Sequence, residues 1–95
     1  MVEELSYNKK GRKTSHLVAG PTNGVVLNGR KIAEYSILRG GNRYTFLASF
    51  PNQKQASTLI KKRREVFGNQ YLHISIPTGS VVLVYVGSNP KFRGY

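Results

Sequence analysis

The chain contains no cysteine and no aspartate, and its acids number only four in 95 residues. Without cysteine there is no disulfide framework, no thiolate zinc site and no cysteine nucleophile. The acids are Glu3, Glu4, Glu34 and Glu65, too scattered to hold the hard cation that a metal-dependent nuclease requires. His16 and His73 are far apart and have no cysteine or aspartate companion. P-loop, G-x-G-x-x-G and G-x-S-x-G patterns are all missing. These absences point away from an enzyme and imply no cofactor and no metal.

Long hydrophobic runs are lacking too. The longest, "VVLVYV" at 81–86, is about a third of the length a helix needs to span a bilayer. The opening "MVEELSYNKK" puts acids first and has no apolar stretch, unlike a secretory signal. The expectation is a protein that is not secreted, has no membrane partner and is cytoplasmic or associated with a nucleoid or virion.

What is abundant is positive charge. Lys and Arg number 15, for a net charge of +11. Solubility can be had with either sign, and natural surfaces usually intersperse both. A one-sided surplus costs self-repulsion in the compact state and is most simply explained by a polyanionic partner. With 39% hydrophobic residues the chain can still pack a core, and its length suits one domain.

Residues 1–15 read as a flexible basic arm, 16–88 as a single α+β domain and 89–95 as a short tail. Within the domain, "HLVAG" closes at Gly20-Pro21, a loop signal. "GVVLNGRKIAEYSIL" holds two strands, 24–28 and 30–38, split by Asn28-Gly29, the pair favoured in a type I′ turn. The stretch "RGGNR" (39–43) then joins this second strand to a third, 43–50. A two-residue loop at Gly40-Gly41 pairs Ile37 with Tyr44, Tyr35 with Phe46 and Ala33 with Ala48, bringing the apolar sets together. That register sends Arg39 and Arg43 to opposite faces near one hairpin tip.

"PNQKQASTLIKKRREVFG" is the clearest element, a helix over about 53–67. Asn52 and Gln55 resemble a capping box, and Ala56, Leu59, Ile60 and Phe67 share one face. Gly68 suits the left-handed C′ position that ends the helix. Arg63 interrupts the apolar stripe; its stem can lie along the sheet with its head in water. "YLHISI" (71–76) alternates Leu72, Ile74 and Ile76 against Tyr71, His73 and Ser75. It forms a further hairpin with "VVLVYV", which is apolar on both faces and therefore central or covered. The expected fold is α+β: a mostly antiparallel sheet of five to six strands with the single helix packed on one face. Over residues 24–67 the order of hairpin, hairpin and helix is similar to the three-stranded sheet and helix of phage-integrase arm-binding domains. The hairpin at 71–86 departs from that arrangement.

The cations fall into groups: Lys9, Lys10, Arg12 and Lys13 in the arm; Arg30, Lys31, Arg39 and Arg43 at the hairpin tips; and Lys61, Lys62 and Arg64 on the basic end of the helix. Lys91 and Arg93 follow in the tail. Taken singly, each group has a structural use, in complementing the helix dipole or guarding strand edges. Together they read as nucleic-acid-binding residues, DNA favoured over RNA, that contact the phosphate backbone. A sheet face carrying Glu34, Ser36, Arg43, Thr45 and Ser49, with Leu38 and Leu47 among them, is the candidate reading surface opposite the helix. Tyr7, Tyr71, Phe92 and Tyr95 are the candidates for stacking on single strands, with Tyr35, Tyr44, Phe46 and Phe50 assigned to the core. Such small basic proteins occur on phages, archaeal viruses, plasmids and nucleoids. The alternatives are a module or inhibitor that binds an acidic protein surface, or a ribosome-associated RNA-binding protein. "VVLVYV" near a sheet edge would also serve as a homodimer interface.

Overall fold

A computed structural model describes residues 16–92. The expected arm residues Lys9, Lys10, Arg12 and Lys13, the tail residue Arg93, and the stacking candidates Tyr7 and Tyr95 lie outside the described residues. The chain divides between Ser36 and Ile37 into two compact units, each with its own antiparallel sheet.

The first sheet has strands β1 (Leu17–Gly20), β2 (Gly24–Leu27) and β3 (Arg30–Ala33) in that order. Leu17 lies opposite Leu27 and Ala19 opposite Val25, and all four are buried, so the period of two selects one apolar face. Asn28 and Gly29 both have positive φ, 54° and 82°, as a type I′ turn demands. The Asn28 carboxamide does a second job there, accepting from the His16 backbone N–H at 3.0 Å. Gly24 cannot be replaced: its φ is 75°, and a Cβ would come within 2.9 Å of the Ala33 carbonyl oxygen.

The expected strand 30–38 is broken, and this overturns the single sheet of five to six strands. β3 ends at Ala33, and β4 (Ser36–Arg39) belongs to a different ladder. Lys31 Nζ reaches Glu34 Oε2 at 2.9 Å. Residues three apart in an extended strand point to opposite faces about 10 Å apart, so this ion pair marks a chain that has already turned. There are therefore two sheets, of three and four strands. The three-stranded sheet expected over 24–50 by likeness to arm-binding domains does not form, because its strands are shared between the two.

The second sheet is ordered β4-β5-β7-β6, with β5 at Asn42–Phe50, β6 at Tyr71–Pro77 and β7 at Val82–Ser88. Gly40 and Gly41, at φ 57° and 78°, make the two-residue turn between β4 and β5. β5 and β6 both run antiparallel to β7 and hence parallel to each other. Helix α1 (Gln53–Phe67) crosses from one to the other, and β7 fills the place between them. The burial of Val82–Tyr85 follows from that central position. A short 3₁₀ turn, Pro90–Phe92, follows β7.

Helix α1 begins where its sequence says it should. The Asn52 side chain accepts from the Gln55 backbone N–H at 3.0 Å. Gly68 donates its N–H to the Arg64 carbonyl, with φ 63° and ψ −134°. That is a positive-φ glycine conformation but not the left-handed helical one expected. Ala56, fully buried, packs with Val82 and Val84, and Leu47, Phe50, Leu59 and Ile60 close around them.

A bulge decides which face the helix covers. The register of β5 against β7 shifts between Phe46 and Ala48. Phe46 lies opposite Tyr85, yet Phe50 lies opposite Val82, so the two phenylalanines point to different faces. The unbroken alternation expected along 43–50, which would put Tyr44, Phe46, Ala48 and Phe50 on one face, is corrected accordingly. Thr45, opposite Val86, lies on the helix side, as does Leu47. The opposite face carries Tyr44, Phe46, Leu83 and Tyr85, all buried, together with Ser49. It is an apolar face, not the polar reading surface expected from Glu34, Ser36, Arg43, Thr45 and Ser49.

Candidate nucleic-acid interface

On the helix side, the outer end of β5, the ends of β6 and β7 and the last turns of α1 enclose an open hollow of about 420 Å³. Arg43, Thr45, Arg63, Tyr71 and Ser88 line it, with Val86 and Gly87 also contributing to its lining. None of the described residues lining it is acidic.

Arg43 reaches this hollow because of the Gly40-Gly41 turn and the strand alternation that follows. The same turn sets Arg39 opposite Asn42 and therefore on the other face. The two arginines of "RGGNR" do not form a fork with each other. Arg43 instead shares a hollow with Arg63, twenty residues later in the chain. Close approach of β7 maintains the geometry at this end. A Cβ on Gly87 would lie 2.5 Å from the Arg43 carbonyl oxygen and 3.0 Å from the Tyr44 ring. Asn42 ties the strands further, donating from Nδ2 to the Ser88 carbonyl at 2.9 Å.

Arg63 is the functional candidate missing from the expected set. It sits at offset seven from Ala56, on the stripe that faces the sheet, so the helix delivers a guanidinium where an aliphatic side chain would be routine. Its Nε donates to His73 Nε2 at 2.8 Å. The guanidinium carbon lies 4.9 Å from the Phe67 ring centre and 5.8 Å from that of Tyr71. Those two rings meet edge to face at 5.3 Å. The head of Arg63 is therefore held by a hydrogen bond and two π faces. Its terminal nitrogens carry four more N–H donors. An arginine on an otherwise apolar helical stripe was the signal in the sequence.

His73 can accept from Arg63 only as the neutral imidazole protonated on Nδ1. Burial, then the neighbouring charges of Arg63 and Arg64, pushes its pKa below the ordinary 6.5. Near neutral pH the acceptor is thus in the required form. At the other end of the helix, Gln53 Nε2 donates to Ser75 Oγ at 3.2 Å, fastening α1 to β6.

The remaining expected site residues are dispersed. Arg30 and Lys31 belong to the three-stranded unit, and Lys31 is paired with Glu34. Lys61, Lys62 and Arg64 are exposed on α1, with Arg64 on the flank nearest His73. Lys91 is exposed in the 3₁₀ turn. Tyr71 borders the hollow, and Phe92 is about half exposed. Among the described residues no group of three or more His, Cys, Asp or Glu is placed to hold a metal ion. Among them, too, no helix is long and apolar enough to cross a membrane. No protein-family profile, curated protein or solved structure matches the chain.

Proposed function

We propose that this is a small, non-enzymatic nucleic-acid-binding protein, with DNA favoured, that acts mainly through phosphate contacts. The observation that carries the reading is the convergence of Arg43 and Arg63 on one hollow that no carboxylate of the described residues lines. Guanidinium groups present planar sets of donors that match phosphate oxygens, and they bind more strongly when partly desolvated. The exposed Lys61, Lys62 and Arg64 extend the positive surface along the same helix, where they attract a polyanion over a longer range. The net charge of +11 supports the same choice of partner.

Fluorescence anisotropy with labelled duplex DNA, single-stranded DNA and duplex RNA at 50 and 200 mM salt tests this. A protein that neutralises about four phosphates loses on the order of 10²-fold in affinity across that range. The expected result is such a slope, reduced when Lys61, Lys62 and Arg64 are changed to Ala and residues 1–15 are removed. Absence of binding to all three at 50 mM would sink the reading and direct the search to an acidic protein surface.

A further inference from the structure

The hollow brings two arginines and three hydroxyl-bearing side chains together. An internal phosphodiester carries one charge and two unesterified oxygens. A terminal phosphomonoester carries about −1.5 to −2 charges at neutral pH and three acceptor oxygens. Lining the hollow are Arg43, Arg63 with its four terminal N–H groups, and hydroxyl-bearing Thr45, Tyr71 and Ser88. Two arginines and three hydroxyl side chains match a dianion.

The size agrees. About 420 Å³ falls in the range of roughly 300–1,000 Å³ typical of small-ligand sites, well beyond what a bare phosphate fills. Arg63 is also set in advance, since His73 and the Phe67 and Tyr71 rings fix its head before any ligand arrives. Preorganised donors cost less entropy on binding.

We propose that this hollow seats a nucleotide bearing a terminal phosphate, with the phosphomonoester on Arg43 and Arg63. The inference rests on the nucleic-acid reading above and narrows it: the occupant is a strand end. A free nucleotide shares this chemistry, so the experiment separates the two sources.

Anisotropy is measured with a labelled single-stranded decamer carrying a 5′-phosphate, a 3′-phosphate or hydroxyls at both ends. In parallel, dAMP and deoxyadenosine are titrated into ¹⁵N-labelled protein and followed by NMR. The expected result is at least about tenfold tighter binding of one phosphorylated decamer over the hydroxyl form. Arg43→Gln and Arg63→Gln each abolish that preference. Should Arg63→Gln fail to fold by its NMR spectrum, Ser88→Asp places a carboxylate at the exposed rim and must abolish the preference instead. Equal binding of all three decamers, with no dAMP-induced shifts at Arg43, Arg63 or Ser88, overturns the inference and leaves backbone binding standing. Binding of dAMP but not deoxyadenosine, with no decamer bound, upholds the phosphomonoester site, makes a free nucleotide its ligand and removes the nucleic-acid reading. Binding of none of these probes overturns both.

Discussion

The contact between Arg63 and His73 makes a prediction with opposite outcomes at two pH values. A hydrogen bond to a charged donor contributes about 1.5–3 kcal/mol, and this one is only half-buried, so about 1.5 kcal/mol is expected. The perturbation is a double-mutant cycle, Arg63→Met with His73→Phe, read by urea unfolding at pH 8 and at a pH below the folded His73 pKa as located by NMR titration. At pH 8 the cycle should return a coupling energy near that figure. His73 has a folded pKa below 6.5, so between the two values the unfolded chain binds more protons than the folded one. Stability from this residue is therefore fully present above 6.5 and is lost as pH falls through the folded pKa. Below it, an imidazolium would face Arg63 with no lone pair to offer. Coupling at that lower pH should drop below about 0.5 kcal/mol by the same hydrogen-bond scale. His73→Gln is the control, because its carbonyl oxygen can accept from Arg63 but cannot titrate; its stability should not show this step. A coupling unchanged between the two pH values, or absent at pH 8, would refute the account of Arg63.

Three further outcomes are expected. Gly87→Ala should cost about 2 kcal/mol in urea unfolding, since its Cβ would collide with the Arg43 backbone. It should also shift the Arg43 and Tyr44 amide resonances in the folded fraction. Asn52→Ala removes the cap on α1 and should cost about 1 kcal/mol, against a few tenths for Asn52→Gly. Ser49 buries a hydroxyl without a hydrogen-bond partner, so Ser49→Ala should be neutral or stabilise by up to about 1 kcal/mol. A loss above 1 kcal/mol there would mean that the hydroxyl has a partner after all.

Local chemistry was legible wherever a residue type permits one conformation. Asn28-Gly29 and Gly40-Gly41 announced their turns, and Asn52 and Gly68 bounded the helix at both ends. The alternation of 71–76 also split its two faces correctly, although only the structure shows His73 and Ser75 turned toward the helix and its polar partners. Two features stayed hidden because no residue type signals them. The break after Ala33 carries neither glycine nor proline, and in space the change of sheet and the Lys31–Glu34 pair reveal it. The bulge at Leu47 lies inside an unbroken run of strand-forming residues, and one unpaired position reversed every later facing. That error propagated to the site. It placed Thr45 and Arg43 on a face away from the helix, and so kept Arg43 apart from Arg63. Arg63 itself was visible as an anomaly on the stripe, but its partner His73 is close only because β6 lies beneath the last turns of α1.

The two halves of α1 are held by different forces. Ala56, Leu59 and Ile60 seat the first half by removing apolar surface from water. In the second half Val66 stays largely exposed and Phe67 is 37% exposed, and Arg63 makes the attachment there. Cooling weakens the first kind of anchor, while acid removes the second. Acidification should therefore fray the helix from its C-terminal end, releasing Lys61, Lys62 and Arg64 from a fixed orientation while the sheet stays paired. Amide exchange along 61–67 would rise before that of 56–60, and Lys61, Lys62 and Arg64 would change their geometry without changing their own charge.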